Sequence, residues 1–188
     1  MRLFLALDTH ELNLDLKKLK VNLNKGKNFE HKWFPENQWH VPVFPLKDMG
    51  QERMNHIDQQ ISTVIQQVEP FSLKLEGVWA YPNQDHGRLL WIGVQNSKEL
   101  RGLVQKLSEV LGPEDDDEEK PFKPHLPIVR LRNHRAVSDV ISPYKNSEFG
   151  KVLISNVILY EMTSGGAFPT YRKVRDYPLK ELGLTAHP

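Results

Sequence analysis

Two short segments of the chain share the form His, aliphatic, Pro, aliphatic: His40-Val41-Pro42-Val43 and His125-Leu126-Pro127-Ile128, 85 residues apart in a total of 188. Each follows a proline-containing loop with an aromatic nearby, Trp33-Phe34-Pro35 in one case and Pro121-Phe122-Lys123-Pro124 in the other. Imidazole is the side chain that ordinarily gains and loses a proton near neutral pH. Two imidazoles facing each other across a cleft suit in-line displacement at phosphorus. One takes a proton from the nucleophile, the other delivers one to the leaving oxygen, and that scheme requires no metal. The same pattern also suits two structural histidines in the strands of a binding module. The other six histidines, His10, His31, His56, His86, His134 and His187, show no spacing typical of metal ligands, and Asp85-His86 reads as a turn.

In a strand, residues i and i+2 share a face. That puts His40 with Pro42 on one side and sends Val41 and Val43 toward a core, with the same division in the second segment. Proline lacks the N–H that a ladder needs, so each segment reads as an edge, a strand end or a bulge. Around them, Arg2–Leu7 reads as a first strand. Asp8 and Glu11 have the spacing of a capping box, which predicts a helix through Leu12, Leu16, Leu19 and Leu23 that stops at Gly26. Lys27–Asn37 reads as a polar loop. A second helix is expected over Gln51–Val68, with Met54, Ile57, Ile61, Val64, Ile65 and Val68 on one face and Pro70 beyond its end. Phe71–Val78 and Arg88–Val94 read as strands joined by the loop Tyr81–Gly87. Ser97 caps a third helix with Leu100, Leu103, Val104, Leu107 and Leu111 facing inward, ended by Gly112-Pro113. Lys151–Tyr160 and Tyr171–Tyr177 complete the strands, connected through Gly165-Gly166; the last residues, 186–188, read as a frayed end. This order indicates an α+β fold rather than a doubly wound parallel sheet.

The sequence contains no cysteine, which excludes disulfide scaffolds, thiolate zinc sites and cysteine nucleophiles. No stretch approaches the ~18 apolar residues of a membrane span, and the first apolar run reaches Asp8 too soon for a signal peptide. A cytoplasmic monomer is expected. The formal charge of +1 argues against a protein that coats long duplex by charge alone. It conceals an uneven distribution, because Glu114–Glu119 is an unbroken run of six acids. Without it, 25 Lys and Arg stand against 18 acids. The run reads as a solvated loop beside the second histidine segment.

Taken in order, Arg2-Leu3-Phe4-Leu5-Ala6-Leu7, Trp33-Phe34-Pro35-Glu36-Asn37, Pro121-Phe122-Lys123-Pro124-His125 with Arg130, Tyr171-Arg172 and Tyr177-Pro178-Leu179 resemble the bacterial and archaeal 2′-5′ RNA ligase, or RNA 2′,3′-cyclic phosphodiesterase, family of the 2H phosphoesterases. The resemblance implies one domain over 1–188 made of two similar lobes, with the termini crossing between them. It implies two antiparallel sheets around a central cleft, helices outside and a pseudo-twofold axis. It also implies hydrolysis of an RNA 2′,3′-cyclic phosphate to a 2′-phosphomonoester, with the reverse 2′-5′ joining reaction, and neither cofactor nor metal. RNA ends or nucleotides carrying a cyclic phosphate would be the partners. His125 would be the general base and His40 the general acid. The family's Thr or Ser two residues after each histidine is Pro42 and Pro127 here. Two lost hydroxyl contacts to phosphate correspond to about 3–6 kcal/mol, enough for a slowed enzyme or for a non-catalytic module that binds RNA ends. An apolar wall at Pro42 and Pro127 would pack on ribose or base. Arg130, Tyr171 and Phe44 are further candidates for substrate contact, with Trp33 and Trp39 as alternative stacking residues and Lys32 and Lys123 as sources of positive potential. A regular strand would put Arg130 on the face opposite His125, so the resemblance alone nominates it.

Overall fold

The computed structural model describes residues 2–25, 30–46, 51–112, 122–163 and 169–181. Gly26, the acidic run, Pro121, Gly165-Gly166 and the last residues lie outside them. Among the described residues, nine strands and four helices run in the order β1 (Arg2–Asp8), α1 (Lys17–Lys25), β2 (His31–Trp33), β3 (His40–Leu46), α2 (Gln51–Ile65), β4 (Phe71–Tyr81), β5 (Gly87–Val94), α3 (Lys98–Leu111), β6 (His125–Arg135), α4 (Ser138–Ile141), β7 (Glu148–Ile154), β8 (Asn156–Thr163) and β9 (Thr170–Pro178). Single 3₁₀ turns at Glu36–Gln38 and Ser142–Tyr144 complete the described elements. Every pairing is antiparallel. One sheet has the order β3-β1-β8-β9, the other β2-β6-β5-β4-β7. The architecture is the expected α+β pair of antiparallel sheets.

Alternation along the strands sends Leu3, Leu5, Leu7, Leu73, Leu75, Leu90, Ile92, Leu126 and Ile128 into one continuous core. Met54, Ile57, Ile61, Val64 and Ile65 of α2 join it with Leu100, Leu103 and Leu107 of α3. The two helices pack on each other, α2 also against β9 and α3 against β3. The Ser97 hydroxyl accepts the Leu100 N–H, and Gly112 follows α3 at φ +86°, so both ends of that helix lie where its capping residues predict. Among the described residues no helix is long and apolar enough to cross a membrane.

Three element assignments need correction. The first helix begins at Lys17, not after Asp8, because the Asp8 carboxylate accepts the His10 N–H in a tight turn and Asp15 accepts the Lys17 N–H instead. Leu14 and Leu16 are both buried with Asp15 exposed between them, the period-two pattern of extended chain. His31–Trp33 is a short strand paired with Leu131–Val129, although it lies in a segment that reads as loop. Lys151–Tyr160 is two strands, not one: β7 pairs with β4 and β8 with β1 and β9. The chain passes between sheets at Ser155, whose carbonyl accepts the Leu179 N–H at 2.8 Å.

Candidate active site

His40 and His125 open equivalent strands, and the same local device aims each ring. The Nδ1 of His40 lies 2.7 Å from the carbonyl of Gln38, and that of His125 lies 2.9 Å from the carbonyl of Lys123, each two residues upstream. A carbonyl only accepts, so each Nδ1 carries the proton and each Nε2 is the basic nitrogen left for chemistry. On the first side the carrier is the 3₁₀ turn Glu36–Gln38. It is held by Trp39, whose indole N–H donates to the Phe34 carbonyl and whose own carbonyl accepts the buried Thr9 hydroxyl at 2.8 Å.

The prolines explain how two sheets meet there. β3 is a sheet edge, and β2 reaches only as far as Val129 of β6, so Pro42 and Pro127 each sit where their strand needs no further ladder bond from proline. A bulge follows each of them. Leu5 pairs with Phe44 but Ala6 with Pro42, and Leu90 pairs with Val129 but Trp91 with Pro127, leaving Val43 and Ile128 as the extra residues. β3 and β6 contact each other, and a charge on His125 reaches His40.

The bulge corrects the expectation for Arg130. The inserted residue reverses strand parity, so the half-buried Arg130 returns to the face of His125 and Pro127, while Ile128 and Val129 are both fully buried. Its Nε is buried with no hydrogen-bond partner among the described residues, and its charge partly offsets the rise that burial imposes on the pKa of the Tyr171 hydroxyl. Pro45, exposed, occupies the matching place after the first bulge, so the first segment has no counterpart of Arg130 at that position. The same reversal places Phe44 in the main core at 3% exposure, paired with Leu5, and not among the rings around His40. Trp39 is also buried, while Trp33 is half-buried beneath the Lys20 ammonium.

Tyr171 is in the site, its ring 4.8 Å from the His40 ring and nearly perpendicular to it. Phe4 and Tyr160, which sequence reasoning missed, complete the enclosure at 5.2 and 5.1 Å. They face away from the main core and form a small second cluster with Ala6 and Ile158. Period-two alternation in β1, with Leu3, Leu5 and Leu7 inward, was the available signal for Phe4. On the other side the Trp91 ring stands edgewise, 5.4 Å from His125.

This apolar enclosure sets the protonation behaviour. Burial pushes the His40 pKa down to about 4, opposed by the bond to the Gln38 carbonyl, with a smaller lowering from His125. His125 is lowered as well, chiefly by burial, with the Lys123 carbonyl opposing. The Tyr160 hydroxyl is pushed up to about 12 by burial and then by Asp8 and Asp176. At neutral pH both imidazoles of the free protein are therefore mainly neutral.

Comparison with known proteins settles the lineage. The family model of the 2′-5′ RNA ligase superfamily matches residues 14–166. This chain belongs to that superfamily. It is 30% identical to an RNA 2′,3′-cyclic phosphodiesterase of Archaeoglobus fulgidus over 93% of this chain and 98% of that one. It is 28% identical to one of Methanocaldococcus jannaschii over 94% and 100%. Among solved structures, a Thermus thermophilus protein superposes with a TM-score of 0.70 at 22% identity, covering 97% of this chain and 100% of that one. E. coli LigT in complex with 3′-AMP superposes at 0.66 and 18%, covering 96% and 98%. Superfamily membership makes this a fold of the 2H phosphoesterases.

Proposed function

We propose that the protein is an RNA 2′,3′-cyclic phosphodiesterase that yields a 2′-phosphomonoester, with His40 and His125 as its catalytic residues. The observation that carries the reading is the matched pair of imidazoles, each with Nδ1–H committed to a carbonyl and Nε2 available, on two strands that touch across the cleft. His125 takes a proton from water as the water oxygen bonds to phosphorus. The P–O3′ bond breaks, and His40 delivers its proton to the departing 3′ oxygen. The order of roles follows the family resemblance. His40 enters that step protonated because the anionic phosphodiester beside it favours the charged imidazolium. Arg130, with its unsatisfied buried Nε, is the cation that contacts phosphate, and Tyr171 packs against the reacting end. The pyrrolidines of Pro42 and Pro127 share the histidines' face and wall the ribose. With an RNA 5′-hydroxyl in place of water, the same transfer joins ends through a 2′-5′ bond. Both histidines come from one chain, so a monomer suffices.

The test is turnover of a cyclic-phosphate-ended oligonucleotide. H40A and H125A are each expected to lose at least a hundredfold, the lower range of general acid–base contributions. Wild-type rates in either variant would overturn the assignment. The two prolines, which remove the family hydroxyls, favour a second reading as a module that binds RNA ends. Stoichiometric binding of the cyclic end without turnover by the wild type would establish that reading instead.

A further inference from the structure

The open face of the five-stranded sheet carries more aromatic surface than the histidine chemistry uses. Register places Trp79, Trp91 and Pro127 in one cross-strand row and Tyr81, Leu89, Arg130 and Lys32 in the next. Trp79 is 40% and Tyr81 64% exposed, and the Trp79 and Trp91 rings stack at 6.2 Å with 28° between their planes. Large aromatics exposed in neighbouring rows of one sheet face are not explained by the core, which takes Val78, Leu90 and Ile92 from the alternate positions. The backbone is adapted to them. Gly77 has φ +73°, and a Cβ at Gly77 or Gly93 would lie 2.8 or 3.1 Å from the Trp79 indole nitrogen, so the indole rests over two glycines.

This surface is continuous with the active site. Gly93 pairs with His125, Trp91 touches its ring, and a groove of about 560 Å³ runs from Lys123 and Pro124 past Trp91 and Trp79 to Lys145 and Asn146. The acids on its far side, Glu76 and Glu148, are both paired with Lys74. That leaves the exposed Lys123 and Lys145 as the groove's cations beside a stacking surface. Flat rings flanked by ammonium groups are the chemistry that holds unpaired bases and their phosphates.

We infer that the Trp79–Trp91–Tyr81 face is a stacking platform for single-stranded RNA, binding nucleotides beyond the one that carries the reacting phosphate. The inference rests on the proposed substrate and narrows it, from any cyclic nucleotide to the end of an RNA strand. Direct binding separates it from the catalytic reading. Titration of the full chain with a four-nucleotide RNA ended by a cyclic phosphate, and with a 2′,3′-cyclic mononucleotide, is followed by anisotropy or calorimetry. W79A and Y81A are expected to weaken the oligonucleotide about five- to a hundredfold each, the range for losing one stacked base, and to leave the mononucleotide unchanged. K145A is expected to lower the slope of log affinity against log salt by about 0.7. Unchanged thermal midpoints confirm that these exposed positions leave the fold intact. Equal weakening of both ligands, or none of either, overturns the platform. Absent turnover with preserved oligonucleotide selectivity overturns only the catalytic reading.

Discussion

At the scale of single residues, the chemistry is decided by the environment of two imidazoles. Their Nδ1 atoms are fixed by carbonyls of Gln38 and Lys123, and burial lowers both pKa values, His40 to about 4. Acid–base catalysis by the pair needs one proton on it. In the free protein that singly protonated form exists only between the second and first protonations, so the pH profile of kcat/KM should be bell-shaped with its maximum below pH 6.5 and its acid limb near pH 4. A maximum above pH 7 would contradict the desolvated site. The prolines give a second expectation. The double substitution Pro42→Thr and Pro127→Thr puts a hydroxyl on the site's face at each position and gives each strand back a backbone N–H. Cyclic-phosphate turnover should rise by tenfold or more, each hydroxyl bond to a charged group being worth about 1.5–3 kcal/mol. No gain would tell against the lost hydroxyls as the cause of any slowness.

At the scale of elements, a bulge one residue long determines which side chains enter the cleft. Val43 and Ile128 are the extra residues, and they move Arg130 into the site and Phe44 out of it. The sequence displays Pro42 and Pro127, which point to an irregularity, but not the register of the partner strand, which places it. The same limit explains Lys151–Tyr160. Its β-branched composition identifies strand, yet only the pairing partners divide it between two sheets at Ser155. The support for His40 is testable here. Thr9→Val removes the hydroxyl that binds the Trp39 carbonyl and leaves a buried acceptor unpaired. Stability should fall by about 1–3 kcal/mol in denaturant titration, and turnover should fall with it because the Gln38 carbonyl loses its anchor. Gly93→Ala should also destabilise, by about 1–3 kcal/mol, since its Cβ would lie 2.5 Å from the Glu76 carbonyl oxygen.

At the scale of the whole molecule, the lowered pKa of His40 makes stability depend on pH. His40 is neutral in the folded state down to about pH 4 but takes a proton near 6.5 when unfolded. Its contribution is therefore fully present above pH 6.5 and is lost as pH falls toward 4, about 3 kcal/mol over that window. Denaturant midpoints measured at pH 7.5 and 4.5 should show that loss, and it should shrink in His40→Phe, which removes the titration.

What the sequence determined by itself is local. Alternation and helical spacing fix most of the elements, because burying one face is a property each segment encodes alone, and the repeated His-x-Pro-x form singles out the two histidines proposed to react. Tertiary structure decided the rest: the enclosure of His40 by Phe4, Tyr160 and Tyr171, the return of Arg130 to the cleft, and the Trp79–Trp91 surface beside His125. Each depends on which residue stands opposite which across a sheet, and strand register is set by partners distant in the chain.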